Sequence, residues 1–268
     1  MGDRMGSWTG IRTRRLLGAA AAAVALVGGA AACATGPAPA AGAAEAAAAA
    51  PAPLDTTCTN LLKIDAVPPP AGDPGTSDPA AVRAWAGQIL PLLDSAVATA
   101  PPDLRPTLTA LQGVLQSAAT TGTAAPADAP VVAQSVNEYE TWAYEHCGYQ
   151  QVQVTATEYR LDGVPATLRP GPTAVRLVNR STANLYHAVL IVRPKDQAVT
   201  VAQVLTTPPE LLAQQVDVVP GAATAGPGEQ GGMLVDLPAG RYLVLCPLGN
   251  GEGPPHLMRG MVAEVSVS

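Results

Sequence analysis

Apolar residues recur at helical spacing through the first part of the folded chain and at alternate positions through the rest. Val82, Trp85, Ile89, Leu92, Leu93 and Val97 follow Ser77-Asp78-Pro79, a capping residue with proline at the first helical position. This pattern predicts a helix over residues 77–98, with Pro91 as a kink. Leu104, Leu108, Leu111 and Leu115 line one face of a second helix, from Asp103 or Pro106 to Ala119. Val132, Val136, Tyr139, Trp142 and Tyr144 predict a third, starting between Asp128 and Pro130 and ending at Cys147-Gly148. Glu138 and Glu140 are assigned to its solvated face.

After Gly148 the period shortens to two. Val152, Val154 and Ala156 alternate with Gln and Thr, Asp162-Gly163 signals a turn, and residues 174–178 continue as a strand. Residues 186–192 read as a buried strand. Residues 199–215 hold a helical turn or two, interrupted by Pro208-Pro209, before a strand at 216–219. Residues 221–230 read as a flexible loop of small residues, and strands at 233–237, 240–246 and 261–267 complete roughly seven. The fold class expected is therefore α+β: a small helical bundle over residues 55–150, followed by a Greek-key β-sandwich over residues 151–268.

Composition adds what precedes these elements. The first 32 residues carry four arginines and one acid, then an apolar run from Leu16 to Val27, which predicts an export signal peptide too short to span as a helix. Thr13-Arg14-Arg15-Leu16-Leu17 resembles a twin-arginine signal. Ala30-Ala31-Ala32-Cys33 resembles a lipobox, with Ala30 where lipoboxes usually carry Leu. Lipidation at Cys33 would anchor the protein on the outer side of the cytoplasmic membrane, and ordinary secretion is the alternative. Residues 33–54, almost entirely Ala, Pro and Gly, suit a tether. Without the first 32 residues the chain keeps 11 of its 15 basic and 20 of its 21 acidic residues, a net of −9. That balance argues against nucleic acid as a partner and leaves the membrane to a lipid anchor alone. There is no Phe, so the cores rest on Val, Leu and Ala.

Four cysteines remain to be assigned in an exported chain. With Cys33 at the lipidation site, a Cys58–Cys147 bridge would clip the ends of the helical region together. Cys246 is then unpaired, either a metal thiolate or a buried free thiol at a strand end. His256 and Met261 follow it on one loop, and His187 opens an earlier strand. Two imidazoles, a thiolate and a weak axial thioether are a soft donor set suited to one copper ion. Taken singly, His187 also reads as a core histidine, His256 as a surface residue and Met261 as an ordinary hydrophobe, with Met258 a substitute axial donor. His146, beside Cys147 at a helix end, reads as structural. The chain holds no H-E-x-x-H, P-loop, C-x-x-C or H-x-H.

Residues 152–268 resemble the cupredoxin family, most of all the plastocyanin-like domains of exported bacterial proteins. The likeness is carried by strand 154–159, by the approach from Asn179 to His187, and by Gly240-x-Tyr242-x3-Cys246 through His256-x4-Met261. The resemblance implies His187, Cys246, His256 and Met261 as copper ligands, and electron transfer or copper handling with a redox or copper-donor protein as partner. It also implies no substrate turnover. A metal-free scaffold or partner-binding module is the competing reading. Two positions depart from the family pattern: nine residues separate Cys246 from His256 where family loops are shorter, and Ala188 follows His187 where Asn often braces the loop.

Overall fold

A computed structural model describes residues 55–70, 77–196, 198–249 and 253–268. The stretches read as leader and tether, with Cys33, lie outside the described residues. Four helices come first: α1 (Thr56–Asp65), α2 (Pro79–Thr99), α3 (Arg105–Thr121) and α4 (Pro130–His146). Their starts follow the capping rules: Asp55 accepts from Cys58 N at 2.8 Å, Asp78 accepts from Ala80 N at 3.0 Å, and α2, α3 and α4 carry proline in the first two positions. Pro91 lies inside an α2 that continues to Thr99. The sequence pattern missed α1, a ten-residue helix with four threonines and asparagines among its first five residues.

The strands are β1 (Gln150–Ala156), β2 (Leu161–Asp162), β3 (Thr167–Leu168), β4 (Gly171–Asn179), β5 (His187–Pro194), β6 (Val216–Val218), β7 (Ala223–Ala225), β8 (Gln230–Leu237), β9 (Gly240–Leu245) and β10 (Val262–Val267). Two short helices, α5 (Val201–Val204) and α6 (Pro209–Gln215), follow β5, and a 3-10 turn, His256–Arg259, precedes β10. One sheet has the order β2-β1-β4-β8 and the other β3-β10-β9-β5-β6, with β7 added to β5. The pairings β1·β4 and β3·β10 are parallel and the rest antiparallel. The small-residue stretch read as a loop thus contains a strand, whose register sets His187 opposite Ala225. Gly231 permits it, because a Cβ there would stand 2.0 Å from Thr224 O.

Strand parity sorts the side chains into layers. Val175, Leu177, Val189, Ile191, Met233, Val235, Tyr242, Val244 and Cys246 face the core between the sheets. The alternate residues Val192, Leu243 and Leu245 face a second cluster, with Val204, Leu212 and Leu257. Ala174 and Leu234, on the outer face of the first sheet, join the helical core. Strands β5 and β9 read as near-continuous apolar runs because both of their faces are covered, whereas β1 and β10 alternate.

The helices meet the first sheet over buried acids, which corrects one expectation. Glu138 is exposed, but Glu140 is buried against Gly232, whose Cβ, if present, would lie 2.8 Å from Glu140 Cβ. Beside it Asp65 accepts from the Tyr139 hydroxyl and, at 2.9 Å, from Leu234 N. Burial pushes Asp65 up to about 6 against the lowering effect of those bonds. Burial, then the Asp65 charge, pushes Glu140 well above the usual carboxylate range. Both acids hold protons in the folded state that the unfolded chain has released, so stability falls as pH rises from 3.8 through about 6. Urea midpoints are expected to be lower at about pH 7.5 than at about pH 5, with Glu140→Gln flattening the difference. Glu138, Glu158 and Glu264, held below their ordinary range by hydrogen bonds, act in the opposite sense only at lower pH. A midpoint that stays level between these two conditions would contradict the buried-acid account.

Candidate metal centre

Three side chains far apart in sequence converge at one end of the sandwich. His187 opens β5, Cys246 follows the last residue of β9, and His256 opens the 3-10 turn. Their donor atoms all lie within 4.8 Å of one another. Cys246 Sγ stands 3.6 Å from His256 Nδ1, and the two imidazole centroids are 5.1 Å apart. All three are buried, with His187 at 0%, Cys246 at 0% and His256 at 1% exposure.

Local structure explains each position. Cys246 continues the inward parity of Tyr242 and Val244, which aims its thiol between the sheets. The Ala188 N–H donates to its sulfur at 3.3 Å, so Ala188 serves the site through its backbone. The brace expected after the first histidine comes instead from Asn179, buried at the end of β4. Its amide donates to Leu185 O at 2.8 Å and Ala225 O at 3.0 Å, and its carbonyl accepts from Ser181 N at 2.9 Å. One side chain thereby ties together the approach to His187 and the strand paired with it. Asn179 and Tyr159 both fall in segments that carry the family likeness, but no role attached to them, because Ala225, which Asn179 holds, and His256 and Arg259, which Tyr159 meets, lie far along the chain.

Met261 is fully buried in the same core as Cys246, and its backbone closes the loop: Cys246 N donates to Met261 O at 3.0 Å and Met261 N to His256 O at 3.1 Å. Met258 packs instead against the outer cluster with Leu257, which removes it as the substitute donor. His146 is exposed, stacks on the Trp142 ring and contacts Trp142 O at 2.9 Å, as a structural helix-end residue should. Cys58 and Cys147 are bridged, with Cα atoms 5.5 Å apart, and Cys246 is free.

The donors suit a metal better than they suit a core. Neither ring nitrogen of His187 has a hydrogen-bond partner, although a buried polar atom left unpaired costs about 1–3 kcal/mol. Burial holds His187 below its ordinary value, and burial, His187 and Arg259 together bring His256 down to about 4. Both imidazoles are thus neutral and ready to ligate. Burial pushes the Cys246 thiol up, against the hydrogen bonds from the Ala188 and Leu248 N–H groups. A cation would restore the thiolate and occupy the lone pair of one of the two orphaned His187 nitrogens. Two neutral imidazoles and a thiolate, with Met261 beside them, fit one copper ion.

Strand arrangement and donor order agree with the resemblance read from the sequence: the second part of the chain has a cupredoxin-like fold. No protein-family model matches the chain, and no curated protein matches it. Among solved structures it is similar to auracyanin B, at 19% identity and a TM-score of 0.31 over 44% of this chain and 88% of that one. It is also similar to rusticyanin from Thiobacillus ferrooxidans, at 18% identity and a TM-score of 0.26 over 44% of this chain and 78% of that one. A third is the Cu-containing nitrite reductase from Thermus scotoductus SA-01, at 13% identity and a TM-score of 0.29 over 44% of this chain and 31% of that one. This last likeness corrects the expectation of no substrate turnover. The neighbours include an enzyme, so a role without catalysis cannot be taken from the resemblance.

Proposed function

We propose that the protein is an envelope cupredoxin-like protein whose sandwich holds one copper ion through His187, Cys246, His256 and Met261, for electron transfer or copper handling. The observation that carries this reading is the convergence of a free, buried thiol with two buried imidazoles, one of which has no hydrogen-bond partner at either nitrogen. Copper in such a set supplies one-electron chemistry. The chain's own part is to hold the donors at the ends of β5, β9 and β10 and on the 3-10 turn and to keep them dry, which limits rearrangement when the charge changes.

Greek-key connectivity, a separate helical domain over 55–150, export and lipid anchoring at Cys33 belong to the same proposal. The Cys58–Cys147 bridge favours an oxidising compartment. Among the described residues no helix is long and apolar enough to cross a membrane; the attachment proposed is the lipid at Cys33. A redox protein or a copper donor is the partner this reading requires.

The test is titration of the purified protein, with Cys246 reduced, against Cu(II). One equivalent retained through gel filtration, together with an intense visible thiolate-to-copper band, is the expected result. No band and no retained copper would overturn it and leave a metal-free scaffold.

A further inference from the structure

The long stretch between Cys246 and His256 raises the question of what holds the second imidazole. Cys246 and Met261 are set by strands, whereas His256 stands on a single 3-10 turn. Its backbone is pinned by His256 N to Leu248 O at 2.7 Å and Leu257 N to Cys246 O at 2.9 Å. These bonds fix the main chain but leave the ring its own torsions. Besides Cys246 Sγ, 3.6 Å from Nδ1, the ring meets His187 within the donor group and Tyr159, whose ring meets His256 edge-on at 5.3 Å and 82°.

Tyr159 sits in the turn between β1 and β2, closed by Thr157 N to Arg160 O at 3.1 Å, and is half-buried. The Arg259 guanidinium lies over it, 3.4 Å from the ring centroid. His256 and Arg259 are the first and last residues of the 3-10 turn, so that turn grips the tyrosine at both ends. Gly260 allows the approach: its φ is 115°, and a Cβ would meet Tyr159 O at 3.3 Å. Arg259 is exposed while His256 is buried, so the layers run from solvent through Arg259 and Tyr159 to the donor group.

We propose that Tyr159 and Arg259 are positioning residues that close this centre. The tyrosine ring holds the His256 imidazole toward Cys246 and His187 and shuts out water and competing ligands, and Arg259 pins the ring from outside. The proposal rests on the copper reading for its purpose, but its geometry belongs to the metal-free chain and can be tested there.

The test follows labelling of Cys246 by an aromatic disulfide reagent in metal-free protein carrying Cys33→Ser, where Cys246 is the one thiol outside the bridge. The thiolate attacks one reagent sulfur, a mixed disulfide forms, and the aryl thiolate that leaves is read by absorbance. Edge-to-face and cation–π contacts of ordinary strength predict labelling about 10-fold faster in Tyr159→Ala and Arg259→Ala, with Tyr159→Phe near wild type. In copper-loaded protein, the same two alanine variants are expected to lose copper to a chelator faster and to show a displaced visible band. Arg259→Ala changes an exposed residue and keeps the test open if Tyr159→Ala does not fold. Unchanged labelling in folded alanine variants overturns the proposal, as does Tyr159→Phe labelling as fast as Tyr159→Ala. Faster labelling in a protein that takes no copper leaves the closure standing and removes the copper reading instead.

Discussion

Cys246→Ser is expected to abolish the intense visible band and to weaken copper binding by more than about 100-fold. Groups standing behind metal ligands are themselves worth about 10- to 100-fold, and a thiolate ligand is worth more. The band arises from charge moving from sulfur to copper, and a serine hydroxyl neither ionises near neutral pH nor offers a soft donor. The substitution is nearly isosteric, and its oxygen still accepts from the Ala188 N–H that now donates to sulfur. Folding stability should therefore change by only about 1 kcal/mol, so loss of copper reports on the centre and not on collapse of the core. Visible absorption and metal content after gel filtration, read beside a urea curve, separate these effects. A serine variant that keeps both band and copper would remove Cys246 from the site.

Removing the Cys58–Cys147 bridge should produce the largest change in stability. The bridge spans 89 residues, from the first turn of α1 to the residue after α4, before the sandwich begins. Freeing a loop of that length returns about 4–5 kcal/mol of conformational freedom to the unfolded chain. That is comparable with the whole stability of many domains. Both half-cystines are buried in the helical core beside Leu61 and Ala143, so two serines there would also leave polar groups in an apolar cluster. Urea unfolding of the Cys58→Ser/Cys147→Ser variant, followed by far-ultraviolet circular dichroism, is expected to show a helical signal lost at a much lower midpoint. A change smaller than about 1 kcal/mol would mean that the helices owe their stability to the sheet beneath them and not to the bridge.

The long helices were legible because their signals are local. Capping aspartates, prolines in the first turn and leucines at helical spacing all lie within one segment, as α2 and α3 illustrate. Helix α1 carries a weak version of those signals and escaped notice. Strand β7 escaped for another reason: Ala223, Thr224 and Ala225 have little strand preference of their own and are extended because β5 and Gly231 receive them. Glu140 looked like a surface residue because helical spacing alone cannot tell water from the face of a sheet.

The sequence by itself determined the donor types and the order in which they occur, since each depends on residue identity and position along the chain; the Cys58–Cys147 pairing it could only suggest, and the structure decided it. Only the tertiary structure decided that His187, Cys246 and His256 meet within 4.8 Å, that Met258 turns away, and that Asn179, Ala188 and Tyr159 attend the centre. The reason is that these relations are contacts between strands and turns from 10 to 97 residues apart, set by register and packing, which no local pattern encodes.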